Sequence, residues 1–238
     1  MRIAAETIDL RCAESEIYNR LLELDGKHIL ELGCGNAEIT RDIATAGADR
    51  TITALEVDEI AHEKNLQISD LHNVTFALSG AQAIPLDDES VDVVLMFKSL
   101  HHIPTDLMAQ SMQEIYRVLK PGGLAYISEP VFAGDFNEIL RLFHDEQKVR
   151  EVAFSTLEKA VDEGLFDLVE ETFFNASMDF EDFEDFEEKV LKVTHTNHAL
   201  DQDLYRRVKQ RFEEHAADQG AHFSMPIRVD LLQRPVKL

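Results

Sequence analysis

Cysteine is scarce in this chain: Cys12 and Cys34 are the only two among 238 residues, too few for a disulfide framework and without the spacing of a metal-binding pair. Basic residues are outnumbered too, 23 against 46 acidic ones, for a formal net charge of -23. Such a surface repels phosphate backbones and anionic membrane faces, so neither nucleic acid nor a membrane is an expected partner. Long apolar runs are missing: no stretch approaches about eighteen apolar residues, and the opening MRIAAETIDLR lacks the apolar core of a signal peptide, so a cytoplasmic protein is expected. What is present, 45% hydrophobic and 29% charged residues, suits a folded enzyme-sized chain and is too apolar for a disordered one. No repeat, linker or low-complexity tract divides it, so a single domain over 1–238 is expected.

Strand and helix patterns alternate from residue 28 to about 130. HILEL (28–32), TITALEV (51–57), VTFALS (74–79), VDVVLMF (91–97) and GLAYISEP (123–130) are β-branched and nearly continuously apolar, as strands covered on both faces are. Between them AEITRDIATAG ends at Gly47 as a helix C-cap, and LMAQSMQEIYRVLKPGG stops at Pro121. The leading region 1–27 is read as helical, with ESEIYNRLLEL amphipathic. Past residue 130 two helical insertions are expected, at 131–165 and 179–219, each followed by a strand, LFDLVEETFFNAS and HFSMPIRVDLLQRP. Within the second, MDFEDFEDFEEK spaces Phe180, Phe183 and Phe186 three apart. Those rings either form a lid over an apolar substrate or pack inward beneath solvated carboxylates.

HILELGCGNAEIT, residues 28–40, runs from a strand through two glycines into a helix start. It lacks the third glycine, at 38, of a dinucleotide fingerprint. Gly33 and Gly35 let the backbone approach a ligand closely, because no Cβ intervenes. Glu56 ends the next strand, 21 residues after Gly35, where a carboxylate can accept both ribose hydroxyls of an adenosine. YRVLK, Tyr116 to Lys120, matches the Y-x-x-x-K of short-chain dehydrogenases, but the upstream serine and the wider glycine spacing of that family do not fit.

ELGCGNAEIT, ALEVDE, SGAQAIPLDDESVDVVLMFKSLHHIP and EIYRVLKPGGLAYISEP, in that order, resemble the successive motifs of small-molecule class I S-adenosylmethionine-dependent methyltransferases. The resemblance covers residues 28 to 130 and implies an α/β fold: a Rossmann-like, doubly wound seven-stranded sheet, order 3-2-1-4-5-7-6, with an antiparallel last strand. It implies S-adenosylmethionine as cofactor and a small-molecule acceptor. Glu31, Gly33, Cys34 and Gly35 would surround the methionine end, with Glu31 meeting the amino group. Glu56 would hold the ribose, Val57 would pack on the adenine, Ala81 and Gln82 would line its edge, and Phe97 and Lys98 would lie beneath the sulfonium. Two positions depart from the pattern. Ala37 replaces a third glycine, which a helical φ would accommodate, and Gly80 stands where many relatives carry an aspartate that accepts from the adenine amino group.

Methyl transfer needs alignment above all, and a general base only for a protonated acceptor. His101 and His102 are candidates for bordering that acceptor, or they shape the turn before Pro104. Lys98 either binds an anionic acceptor or points to solvent. Glu129 either meets substrate or pairs with a cation, and Tyr18 either reaches the pocket or packs in the core. His195 and His198, at i, i+3, have no evident third ligand, and no metal site is expected. A methyltransferase-fold binding module without catalysis is the alternative, supported by Gly80. Neither the acceptor nor the oligomeric state is written in the sequence.

Overall fold

Strands and helices alternate through most of the chain, and the computed structural model describes residues 1–192, 200–217 and 220–236. After α1 (Glu14–Leu21) come β1 (His28–Leu32), α2 (Glu38–Thr45), β2 (Thr51–Glu56), α3 (Glu59–Asn65), β3 (Val74–Leu78) and β4 (Val91–Phe97). A 3-10 turn (Leu100–His102), α4 (Met108–Val118) and β5 (Leu119–Pro130) complete the first half. Then follow α5 (Asp135–Leu140), α6 (Gln147–Asp162), β6 (Asp167–Phe180), the single turn α7 (Phe183–Phe186) and a π-helical turn (Glu187–Leu191). The chain closes with α8 (Gln202–Glu213), the two-residue β7 (Ala216–Ala217) and β8 (Gly220–Gln233).

The sheet runs β3-β2-β1-β4-β5-β8-β6, with β7 paired to β8 alone. Strands β1 to β5 pair in parallel, and β8 lies antiparallel to both β5 and β6. Apart from the short β7, this is the doubly wound, Rossmann-like order expected from the motifs. Successive side chains enter opposite cores, as the period of two requires. Leu30, Leu32, Val94 and Met96 pack with Met108, Met112 and Leu157 of α4 and α6. Ile29, Val93, Leu95 and Phe97 pack with Ile17, Tyr18 and Ile43 of α1 and α2.

The last hairpin outgrows the sheet. β5 pairs with β8 only from Ile227 to Gln233, whereas β6 continues along β8, from Asn175 opposite Pro226 to Phe180 opposite Ala221. Such a two-stranded ribbon is marginal unless something covers it. Phe136 of α5, Phe186 of α7 and Phe212 of α8 close on Phe180 and Phe223, with ring centroids 5.2 to 6.2 Å apart. Gly134 opens this cap at φ 90°, where a Cβ would stand 2.6 Å from Pro226 Cδ and 2.7 Å from the Ser224 carbonyl oxygen.

Several boundaries move. The leading region 1–27 holds one α-helix, α1, among the described residues, and α4 ends at Val118, three residues before Pro121. The region 179–219 is less helical than expected: Phe180 still belongs to β6, and β7 falls inside it. The phenylalanines of the acidic run pack inward, Phe180 and Phe186 fully buried, but from a strand end and a single helical turn. His195 and His198 lie outside the described residues.

Candidate functional site

The glycine loop leaves β1 beside the end of β2. Gly33 N–H and Cys34 N–H both donate to the Leu55 carbonyl, at 2.9 and 3.0 Å, binding the loop to β2. Gly33 has φ 76°, and a Cβ there would sit 2.8 Å from Ser99 Cβ, so this position needs glycine on both counts. Ala37 does not take the helical φ expected of it: at φ 60°, ψ 28° it caps α2 from the left-handed region, the conformation a third glycine would have adopted without strain.

Two buried carboxylates flank the loop. Glu31 is 3% exposed and accepts from Thr40 Oγ1 at 2.6 Å. Burial outweighs that hydrogen bond and, with Glu56 nearby, pushes its carboxyl up to about 7. Glu56 Oε2 accepts from Gly35 N–H at 2.6 Å, and its Oε1 accepts from the N–H groups of Val57 and Asp58 at 2.7 and 2.8 Å. The Asn65 amide donates to the Gly35 carbonyl at 2.8 Å, holding the far side of the loop. Cys34 is buried and its thiol is pushed well up by desolvation, consistent with a small packing residue rather than a nucleophile. Beyond Glu56, Val57 is 66% exposed and Ile60 53%, an apolar pair left open at the strand end. Ala81 is buried, and the Gln82 carboxamide folds over Gly80, whose missing Cβ would stand 2.3 Å from Gln82 Oε1.

At the end of β4, Phe97 is buried between the rings of Tyr18 and Tyr126, with centroids 5.8 and 5.6 Å away. Tyr18 is therefore a packing residue of α1. Lys98 is partly exposed and carries an ion pair. It adopts φ 53°, and its Nζ pairs with Glu14 Oε2 of α1 at 3.0 Å, while Tyr126 Oη donates to Glu14 Oε1 at 3.3 Å. Glu14 thus clamps the leading helix over the strand end, an anchor that no spacing in the sequence marks.

The histidine pair separates into one buried and one exposed ring, 4.1 Å apart. His101 Nδ1 lies 2.5 Å from Glu129 Oε2, and Glu129 Oε1 accepts from Leu100 N–H at 2.9 Å. His101 Nε2 faces Glu146 Oε1 at 3.6 Å, and Glu146 Oε2 takes a 2.5 Å bond from Arg150. Burial opposes charge on His101, but Glu129 and then Glu146 outweigh it and raise the imidazole to about 9. Burial likewise opposes the carboxylates, yet the His101 charge holds Glu129 below its ordinary range. Both Glu129 oxygens are thus engaged within the protein, by the His101 ring and the Leu100 N–H. With its nitrogens facing two carboxylates, His101 is poorly suited to act as a free base. Glu146 and Arg150, from the start of α6, were not singled out in the sequence; their i, i+4 spacing was the available signal.

Residues 29–123 match a family described as a methyltransferase domain. The chain is similar to the sterol 4-C-methyltransferase strm-1 of Caenorhabditis elegans, 32% identical over 133 residues, covering 54% of this chain and 39% of that protein. It is similar also to the 27-O-demethylrifamycin SV methyltransferase of Amycolatopsis mediterranei, 32% identical over 158 residues, covering 62% of this chain and 55% of that one. The chain therefore spans about half the length, or less, of these curated relatives. Among solved structures it resembles the YcgJ protein of Bacillus subtilis, with a TM-score of 0.67 at 15% identity, covering 92% of this chain and 97% of the other, which speaks for a shared fold.

Proposed function

We propose, from the match of residues 29–123 to a methyltransferase domain, that this chain is a class I methyltransferase that transfers a methyl group from S-adenosylmethionine to a small organic acceptor. The observation that carries the reading is the pair of buried carboxylates, Glu31 and Glu56, set on either side of a glycine loop at the ends of adjacent parallel strands. An adenosine and an ammonium group presented together fit that pair: Glu56 faces the ribose hydroxyls and Glu31 the amino group. Glu31 pays a desolvation cost for its charge that a bound cation would relieve. Gly33, Cys34 and Gly35 line the methionine end, the exposed Val57 gives the adenine an apolar face, and Ala81 closes its edge. Gln82 Oε1, folded over Gly80, stands in for the carboxylate that many relatives place there, as an acceptor for the adenine amino group.

When bound, the cofactor would supply an activated sulfonium methyl, open to in-line attack by an acceptor atom with the neutral thioether sulfur as leaving group. The chain's part is alignment. Phe97, wedged between two tyrosines, gives the end of β4 a rigid apolar floor, and the Lys98–Glu14 pair holds α1 across it. Lys98 contributes to the cofactor site through this pairing rather than by a free charge. His101 and His102 border the acceptor side, with Glu129 orienting His101.

The relatives named for a sterol and for demethylrifamycin favour a small-molecule acceptor, and the net charge of -23 disfavours nucleic acid. No helix among the described residues is long and apolar enough to cross a membrane, and a cytoplasmic location accords with that. The whole chain reads as a single methyltransferase domain in which 131–165 and 179–219 form the substrate cap. Calorimetric titration tests the proposal: micromolar or tighter binding of S-adenosylmethionine and of its demethylated product is expected, with none of NAD. Absence of binding by either nucleoside would leave a methyltransferase-fold module acting without catalysis.

A further inference from the structure

The methyl-transfer reading uses His101 and His102 only as a border to the acceptor and gives Glu146 no part, yet the three side chains form one cluster. One ligand atom from each of His101, His102 and Glu146 can be chosen so that all lie within 4.8 Å of one another. The 3.6 Å from His101 Nε2 to Glu146 Oε1 is too long for a hydrogen bond. It is close to the separation, roughly 3.4 Å, of two ligands each about 2.1 Å from a shared tetrahedral ion.

The surrounding groups orient these ligands as a metal centre requires. His101 directs its Nδ1 at Glu129 Oε2, 2.5 Å away, which fixes the ring and turns Nε2 inward, the arrangement of a carboxylate–histidine–metal triad. Glu129 is itself anchored by the Leu100 N–H, and Arg150 fixes Glu146 through Oε2 while Oε1 faces the histidines. His144 Nε2 stands 3.0 Å from the same Oε1 and helps to hold that oxygen in place. His102 is exposed, so an ion can enter from solvent.

We infer that His101, His102 and Glu146 bind one divalent cation of the zinc class at the carboxyl edge of the sheet, with solvent completing its coordination. Imidazole nitrogens with a single carboxylate suit zinc, cobalt or nickel and not magnesium, which takes oxygen ligands and keeps its water. The cluster joins two distant segments, the turn after β4 and the start of α6, so a bound ion would tie the cap to the sheet.

The test titrates Zn2+ into the full chain after chelator treatment and dialysis, by calorimetry, with Co2+ absorption in the visible as a second readout. One ion per chain is expected, with Co2+ giving the intense bands of a low-coordinate nitrogen and oxygen site and Mg2+ failing to compete. His102→Ala, a change at an exposed side chain, should weaken Zn2+ binding at least tenfold, and Glu146→Gln should abolish it, while His222→Ala at an exposed histidine elsewhere leaves it unchanged. Absence of binding, or equal affinity in the parent chain and His102→Ala, would overturn the assignment and leave a closed ion-pair network. Neither result depends on S-adenosylmethionine, whose binding is titrated separately.

Discussion

Replacing Glu31 by glutamine should make the cofactor-free protein more stable and the cofactor bind more weakly. In the folded chain this carboxyl is raised from its usual 4.5 to about 7, chiefly by burial. Between those values the folded state holds a proton that the unfolded state has released, so stability falls as pH rises from about 4.5 to about 7 and is level beyond. A tenfold change in proton affinity is worth about 1.4 kcal/mol, so the charge costs the cofactor-free fold roughly 3 kcal/mol above neutrality. Glutamine has nearly the same shape, keeps an oxygen for the Thr40 hydroxyl and does not titrate. Its amide nitrogen can add a penalty of about 1 to 3 kcal/mol if unsatisfied, but that penalty is independent of pH. The measurement is therefore the pH dependence of the difference between variant and parent in urea unfolding. The variant should gain roughly 3 kcal/mol on the parent between about pH 4.5 and about pH 8. A difference that stays flat across that range would falsify the raised carboxyl. The same titration makes S-adenosylmethionine affinity in the parent climb as pH rises toward 7, because its ammonium group needs the ionised carboxylate. In the variant that climb should disappear.

Other expectations follow from the same geometry. Glu56→Ala should weaken S-adenosylmethionine binding at least about tenfold, the scale of a lost charge-assisted hydrogen bond, with an unchanged circular dichroism spectrum; unaltered affinity on calorimetry refutes the ribose assignment. Gln82→Ala should cost roughly 1 kcal/mol of cofactor binding, about fivefold, if its carboxamide replaces the side chain missing at Gly80. Phe212→Ala, at the centre of the aromatic cap, should destabilise the protein by about 3 to 5 kcal/mol; a loss below about 1 kcal/mol in thermal or urea unfolding would argue against a packed cap.

The parallel half of the sheet was legible because its determinants are local. Near-continuous apolar strands separated by amphipathic helices specify a doubly wound sheet whichever side chains later meet, and HILELGCGNAEIT marks the loop between β1 and α2 within thirteen residues. Glu56 was legible for the same reason, as the last residue of the next strand. The partners of the site residues were not. Lys98 finds Glu14 84 positions away, and His101 is held between Glu129 and Glu146, which arrive on β5 and at the start of α6. No periodicity links such residues; only docking of α1 and the cap onto the strand ends brings them together. The conformation of Ala37 belongs to the same class. Its left-handed φ is imposed by the turn from β1 into α2, and an alanine there gives no local sign of it. By itself the sequence determined which segments form the strands and helices of the parallel half and the place of the glycine loop, because hydrophobic pattern and turn chemistry act over a few residues; the strand order was implied by the family resemblance. Tertiary structure decided which charges are buried, paired and raised or lowered, because desolvation and Coulomb interaction depend on what packs beside a group in space.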